Sequence, residues 1–350
     1  MQITTATVDL FTYRLDQPMG GSGVSEVDIL WIVLTDKDGT TGSGFSYVIA
    51  GGGGPLKGIA DGLVDRFLRG QSIAAPQAAW RKISRSFNRT GRGWNMLALA
   101  AIDVALWDLH ARRMGVALGI AMGGEARATP VYASGPFQPG IAPAAAVDTA
   151  LAAIEAGFRG VKPRVGAVPE DDALIEAVAA AIPADRSLMV DVNEKGDIAR
   201  ARRLLDCARA HQVLFVEEPL PATNLGGYRR LATDHGTAIA TGEHLQDLSE
   251  FEPYIAGNMA AILQPDLAMV GGLTPCLALA EAAAIHGIGL APHFLPSLFV
   301  HLAAAAPALT WLEDFPLLEP MFDGIPSLSE QGTLVIDTEN DHNTKETARR

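Results

Sequence analysis

"SLMVDVNEKGDIARARRLLDCARAHQVLFVEEP" (residues 187–219) decides the fold. An apolar run ends in an acid, an alanine-rich helical run follows, and a second apolar run ends in two acids. This is a strand, a helix and the next strand. The same texture repeats from about residue 129. Eight β-rich runs carry it: "TPVYASG", "GVKPRV", "SLMVDVN", "LFVEEP", "AIATGE", "ILQPDL", "IGLAPH" and "LTWLED". Marked by Ser134, Lys162, Asp191, Glu217, Glu243, Asp266, His293 and Glu313, they follow one another at steps of 28, 29, 26, 26, 23, 27 and 20 residues. Such a step holds one strand, one helix and two loops. Repeated βα units imply a parallel sheet, and eight of them imply a closed α/β barrel. The apolar character of the runs suits strands covered on both sides.

The first 50 residues differ. "ATVDLFTYRL" and "DILWIVLTDKDGTTGSGFSYV" read as strands with a Lys-Asp-Gly hairpin turn. Glycine-rich "AGGGGP" (50–55) and helical segments follow, among them "NMLALAAIDVALWDLHARRMG" (95–115) with its glycine stop. This part reads as an α+β domain. The final stretch, "ENDHNTKETARR", is polar and expected to fray.

Composition narrows the class. The chain has 350 residues, 48% apolar and 19% charged, enough for a large core in one domain or two. Net charge is -13 and no basic block of five occurs, so nucleic acid is not an expected partner. The acidic excess reads as a well-solvated surface. No run reaches about 18 uninterrupted apolar residues, so no membrane span is expected. The opening "MQITTATVDLFTYRLD" lacks a signal-peptide pattern, which makes a cytoplasmic location the expectation. Cys207 and Cys276 lie outside any CxxC motif and read as buried thiols of a reducing compartment.

Nearly every β run ends in a polar or charged residue, and in a barrel those ends make the active site. One acid at a strand end is ordinarily a helix cap. Seven ends in register point instead to a site: Lys162 and Arg164, Asp191 with Asn193, Glu217 and Glu218, Glu243, Asp266, His293 and Glu313. Lys162 and Arg164 point to one side of a strand, so something anionic must face them. Asp191, one of Glu217 and Glu218, and Glu243 end three consecutive strands about 4.8 Å apart. Their convergence calls for a hard divalent cation, magnesium or else manganese. A calcium-loop reading of "DVNEKGD" fails, because its fifth and twelfth positions are Lys195 and Arg202. Across the ring, Asp266 and His293 form a carboxylate–imidazole dyad suited to general acid/base work.

Taken together and in order, "AIDVALWDLHARRMG", "AMGG", "VKPR", "LMVDVN", "VEEP", "GE", "QPDLAMVGGLT", "APH" and "WLED" resemble the enolase superfamily, within it the mandelate racemase subgroup. The resemblance spans nearly the whole chain. It implies a modified TIM barrel, (β/α)7β, over residues 126–318, and an α+β capping domain over 1–125 completed by the segment 319–350. It selects Glu217 over Glu218, giving Asp191, Glu217 and Glu243 as ligands of one Mg2+, and leaves Glu218 to pair with a neighbouring cation. It implies abstraction of the proton α to a substrate carboxylate, with the metal stabilising the enediolate. Lys162 would sit by the carboxylate and the metal, a proton-bearing Glu313 would hydrogen-bond the other oxygen, and His293 would be the acid/base. Two glycine-rich lids would close the mouth, residues 16–25 and the segment from Tyr47 through the glycine run. Tyr47, Arg92, Trp94 and Asn193 are the expected substrate contacts. A homo-oligomer, dimer or octamer, is also implied.

One position departs from the family pattern. Lys-x-Lys becomes Lys162-Pro163-Arg164. Arginine keeps its proton below pH of about 12, so it clamps anions and does not serve as a base. A racemase needs a base on each face, whereas a syn-eliminating dehydratase needs only His293. The expectation is therefore a dehydratase of sugar acids, aldonates or aldarates. The alternatives are a racemase, epimerase or cycloisomerase, and a catalytically silent acid-binding barrel.

Overall fold

The computed structural model describes residues 1–20, 23–235, 238–322 and 326–337. The stretch expected to fray, 339–350, lies outside the described residues. An antiparallel meander opens the chain: β1 (Ile3–Met19), β2 (Val24–Asp36) and β3 (Thr41–Ile49). The Lys-Asp-Gly turn joins β2 to β3, and Gly39 takes a φ of 86°. Helices α1 (Gly54–Phe67), α2 (Pro76–Ser84) and α3 (Trp94–Met114) share a buried core with the sheet. The third is apolar nearly all round, and it is buried along most of its length. Its backbone touches β3: a Cβ added at Gly44 would meet the Ala105 nitrogen at 2.2 Å.

After the short α4 (Leu118–Ala121) the barrel begins. Its strands and helices alternate: β4 (Thr129–Ala133), α5 (Pro143–Glu155), β5 (Gly160–Val161), α6 (Asp171–Ala181), then β6 (Ser187–Leu188) and β7 (Val190–Asp191). There follow α7 (Ile198–Ala210), β8 (Val216–Glu217), α8 (Leu225–His235), β9 (Ile239–Thr241) and α9 (Leu248–Ala256). The last third holds β10 (Ile262–Leu263), α10 (Leu267–Val270), α11 (Leu273–Ile285), β11 (Gly289–Leu290), α12 (Pro296–Ala305) and β12 (Leu312–Asp314). Parallel pairing runs β12-β4-β5-β6 and β11-β10-β9-β8-β7. The bridges Arg164↔Asp191 and Leu290↔Leu309 join the two arcs into a ring. With β6 and β7 as one interrupted run, this is the expected (β/α)7β barrel.

The strands pair over only two to five residues, and proline is one reason. Pro163, Pro219, Pro265 and Pro292 stand just past four of them. Lacking an N–H, proline cannot donate to the ladder, which beyond Pro163 continues only as the single Arg164↔Asp191 bridge. A separate cluster of Tyr132, Met189, Phe215, Ala240, Ile262 and Ala291 fills the interior below. At the chain's end, β13 (Thr333–Leu334) pairs antiparallel with β4, while Phe322 stacks on Phe45 and Trp31 of the capping sheet. Both cysteines are free. Among the described residues no helix is long and apolar enough to cross a membrane.

Asp103 bolts the two domains together. From α3 it accepts from the Thr274 backbone N–H and the Thr274 hydroxyl, both at 2.7 Å, and Trp107 donates to the same hydroxyl at 3.0 Å. Gly272 makes room, since a Cβ there would lie 2.6 Å from Asp103. Burial pushes the Asp103 carboxyl up to about 7, against the opposing hydrogen bonds. A raised acid folds best when protonated, so its contribution is full below the unfolded value near 3.8 and is lost as pH rises through about 7. Unfolding of the wild type and of Asp103→Asn, compared from pH 4 to 7, is therefore expected to diverge. The wild type loses on the order of 4 kcal/mol relative to the variant across that range.

Candidate active site

Helix capping separates the site acids from ordinary loop acids. Asp197 caps α7 and Asp247 caps α9, each through its own side chain. Asp191 and Glu243, at the strand ends before them, are thus spared that task. Asp266 is both cap and site residue. Its Oδ1 accepts from the N–H groups of Ala268 and Met269 at 2.9 Å, which fixes Oδ2 toward the cavity.

The first arc of the ring is buried and highly charged. Asp191 and Glu217 are register partners on β7 and β8, and both are almost fully buried. Asn193 ties down Asp191, its N–H on Oδ1 at 2.9 Å and its amide on Oδ2 at 3.0 Å. Glu217 Oε2 accepts from the Lys162 ammonium at 2.5 Å and from the Gln264 amide. Lys162 also reaches Glu313 Oε1 at 2.8 Å, and its ammonium lies 5.3 Å from the Tyr132 ring centre. Burial opposes the Lys162 charge, but Glu217 and Glu313 outweigh it and hold the ammonium protonated. Burial likewise pushes the Glu313 carboxyl up. Lys162, His293 and the Phe294 N–H overcome that and pull it down to about 2. The buried Lys162 ammonium that touches Glu313 thus favours its carboxylate form.

Asp191, Glu217 and Glu243 suit a magnesium ion by donor type. The Glu217 Oε1 and Asn193 Oδ1 atoms are buried without a hydrogen-bond partner, and such oxygens call for a cation or a donor. Glu194, Glu218 and His244 form a tighter group, their donor atoms within 4.8 Å of one another, whereas the three expected ligands are less closely gathered.

His293 stands across the cavity. Its Nδ1 is 2.9 Å from Asp266 Oδ2, and its Nε2 is 3.6 Å from Glu243 Oε2. Burial lowers its pKa, but Glu243, Asp266 and Glu313 raise it to about 10. A cation held by Glu243 would offset the first of those acids and bring the imidazole toward the range of a usable base.

A cavity of about 550 Å3 opens beside these groups, and Asp191, Glu217, Lys162 and Glu313 are not in its lining. Tyr47, Arg164, Asn193, Glu243, Asp266 and His293 all line it. Arg164 is 8% exposed, its guanidinium 5.0 Å from the Phe315 ring centre and its Nε 3.9 Å from Asp191. Two expected substrate contacts lie elsewhere. Arg92 pairs with Asp247 at 2.8 Å, outside the cavity, and Trp94 begins α3, 39% exposed and likewise outside. The turn formed by Gly91 and Gly93, with φ of 79° and 41°, carries them away. Of the first lid, Gly20 and Val24 line the cavity, while residues 21 and 22 lie outside the described residues.

Sequence reasoning overlooked His244. Glu218 takes a φ of 41°, which breaks strand alternation and buries its side chain apart from Glu217. There it meets His244 Nδ1 at 3.0 Å. That hydrogen bond leads the causes raising His244 to about 9, while burial and then Glu243 push the Glu218 carboxyl up to about 8, so the pair shares a proton-rich contact. The signal was present: His244 directly follows Glu243. Glu194 and Gln264 were likewise legible only as loop neighbours of Asn193 and Asp266.

A capping sheet over a barrel whose strand ends carry acids, a lysine and a histidine dyad defines an enolase-like architecture. Residues 3–123 match the mandelate racemase / muconate lactonizing enzyme N-terminal domain, and residues 145–338 match the enolase C-terminal domain-like family. The chain belongs to the mandelate racemase/muconate lactonizing enzyme family. It is 34% identical to L-talarate/galactarate dehydratase of Salmonella typhimurium, over 86% of this chain and 76% of that one. It is 29% identical to 3,6-anhydro-alpha-L-galactonate cycloisomerase of Streptomyces coelicolor, over 82% and 80%. The Salmonella dehydratase, in its crystal structure with Mg and L-lyxarohydroxamate, superposes with a TM-score of 0.91 at 31% identity, covering 99% of this chain and 92% of that one. A magnesium-bound racemase from Streptomyces coelicolor gives 0.89 at 26%, covering 97% and 96%.

Proposed function

We propose that this protein is a magnesium-dependent dehydratase of a sugar acid, converting an aldonate or aldarate to a 2-keto-3-deoxy acid. The observation that carries the reading is the pairing of one oriented base, His293 on Asp266, with an arginine where a second base would stand. Asp191, Glu217 and Glu243 would hold the ion, which supplies positive charge to the substrate carboxylate when bound. Lys162 adds a fixed positive charge beside Glu217, and Arg164 clamps the anion from the cavity wall without accepting a proton. His293 takes the α proton and returns it to the departing β-hydroxyl on the same face. Both transfers need only one imidazole nitrogen, Nε2, because Nδ1 is held by Asp266.

A panel of stereoisomeric C4 to C6 aldonates and aldarates, incubated with enzyme and magnesium, tests this. A keto acid should form from at least one, and EDTA should abolish it. A panel that yields neither keto acid nor α-proton exchange overturns the proposal. The cycloisomerase among the relatives favours a second reading, isomerisation on the same scaffold. Product that incorporates solvent deuterium at the α carbon while keeping its β-oxygen would select it.

A further inference from the structure

Tyr47 belongs to the capping strand β3, yet its polar contact lies in the barrel. Its hydroxyl donates to Asp266 Oδ2 at 2.7 Å. That oxygen also receives His293 Nδ1 at 2.9 Å, and the two N–H groups of α10 occupy Oδ1. Among the described residues, the donors reaching Asp266 are backbone N–H groups, His293 and Tyr47. A ring contact makes a second link. Phe294 lies between the two residues, 5.2 Å from the Tyr47 ring and 4.7 Å edge-on to the imidazole. Phe294 and Leu295 both carry left-handed φ values, 36° and 53°, so the turn presenting His293 is strained and depends on what packs against it. Tyr47 is 3% exposed, which denies its hydroxyl to bulk water.

We propose that Tyr47 is a positioning residue, which sets the orientation of the His293 imidazole through Asp266 and makes proton transfer depend on docking of the capping strand. The two backbone N–H groups anchor Oδ1 and leave the carboxylate a pivot about that oxygen, which the Tyr47 hydroxyl and His293 control together. Removing the hydroxyl lets Oδ2 tilt on that pivot, and the His293 ring follows it. This differs from the substrate contact expected for Tyr47, and it rests on His293 being the acid/base of the α-proton reaction.

Tyr47→Phe keeps the ring packing and deletes only the hydroxyl. With an acid that the wild type turns over, kcat should fall roughly 10- to 100-fold with KM nearly unchanged, the range for loss of an outer partner. In an Asp266→Asn background the same substitution should cost little further, because both act along one path. A raised KM at unchanged kcat, or additive losses in the double variant, overturns the proposal. A turnover-free arm separates it from the dehydratase reading. In the magnesium-loaded protein, the proton NMR signal of the His293 Nδ1–H should shift between wild type and Tyr47→Phe. An unmoved signal refutes the positioning role even where no panel acid reacts, whereas a shifted signal with no reactive acid leaves the fault with the dehydratase reading alone.

Discussion

His293→Asn is expected to leave a folded, magnesium-binding protein whose turnover is roughly 10^2- to 10^4-fold slower, the usual contribution of a general acid/base. Asparagine retains a polar group near Asp266 but has no proton to exchange at any working pH. An arginine does not serve as a base, so Arg164 in the cavity lining does not replace the lost one. Exchange of the α proton with deuterated solvent should disappear together with product. The measurement is the pair: steady-state turnover and α-deuteration by NMR. Residual exchange near the wild-type rate would mean that another group, Lys162 foremost, removes the proton.

Lys162→Met should have the largest effect on stability. The ammonium is 1% exposed and lies between Glu217 at 2.5 Å and Glu313 at 2.8 Å. Methionine fills a similar volume but leaves both carboxylates buried without their cation. Breaking a buried ion pair by removing one partner costs about 3 to 5 kcal/mol. The sign of its pH dependence follows from the acids. Burial already pushes Glu217 up in the wild type, and without the ammonium Glu313 also rises from about 2, so the deficit is largest at high pH and shrinks as falling pH protonates the freed acids. Denaturant unfolding at pH 5 and pH 8 checks this, and a deficit that grows on acidification would contradict it. Activity should be lost in the same variant, since the fixed charge beside Glu217 goes with it.

Both results concern residues that stood out in the chain because proline and strand period mark where each barrel strand stops. "VKPR", "EEP", "QPD" and "APH" mark four places where a regular strand gives way to the loop that carries site residues. The Asp266–His293 pair was legible for that reason, one βα unit apart. Arg92 and Trp94 were not, because they sit in a glycine turn whose left-handed angles set their direction, and no periodicity encodes those angles. His244 escaped notice because only the φ of 41° at Glu218 brings that acid to it.

The order of apolar runs and polar ends along the chain was enough to indicate an α+β domain before an α/β barrel and a ring of acids, a lysine and a histidine dyad, while the (β/α)7β form and the cap came from the family resemblance. Periodicity of two and of 3.6 residues is local, and local patterns survive in a string of letters. The ion pairs of Lys162, the contacts that pull the Glu313 carboxyl down, the Glu218–His244 contact and the reach of Tyr47 across to Asp266 came from folding alone. Each joins groups dozens to hundreds of residues apart, and their charges depend on burial and on neighbours that exist only once the chain has closed on itself.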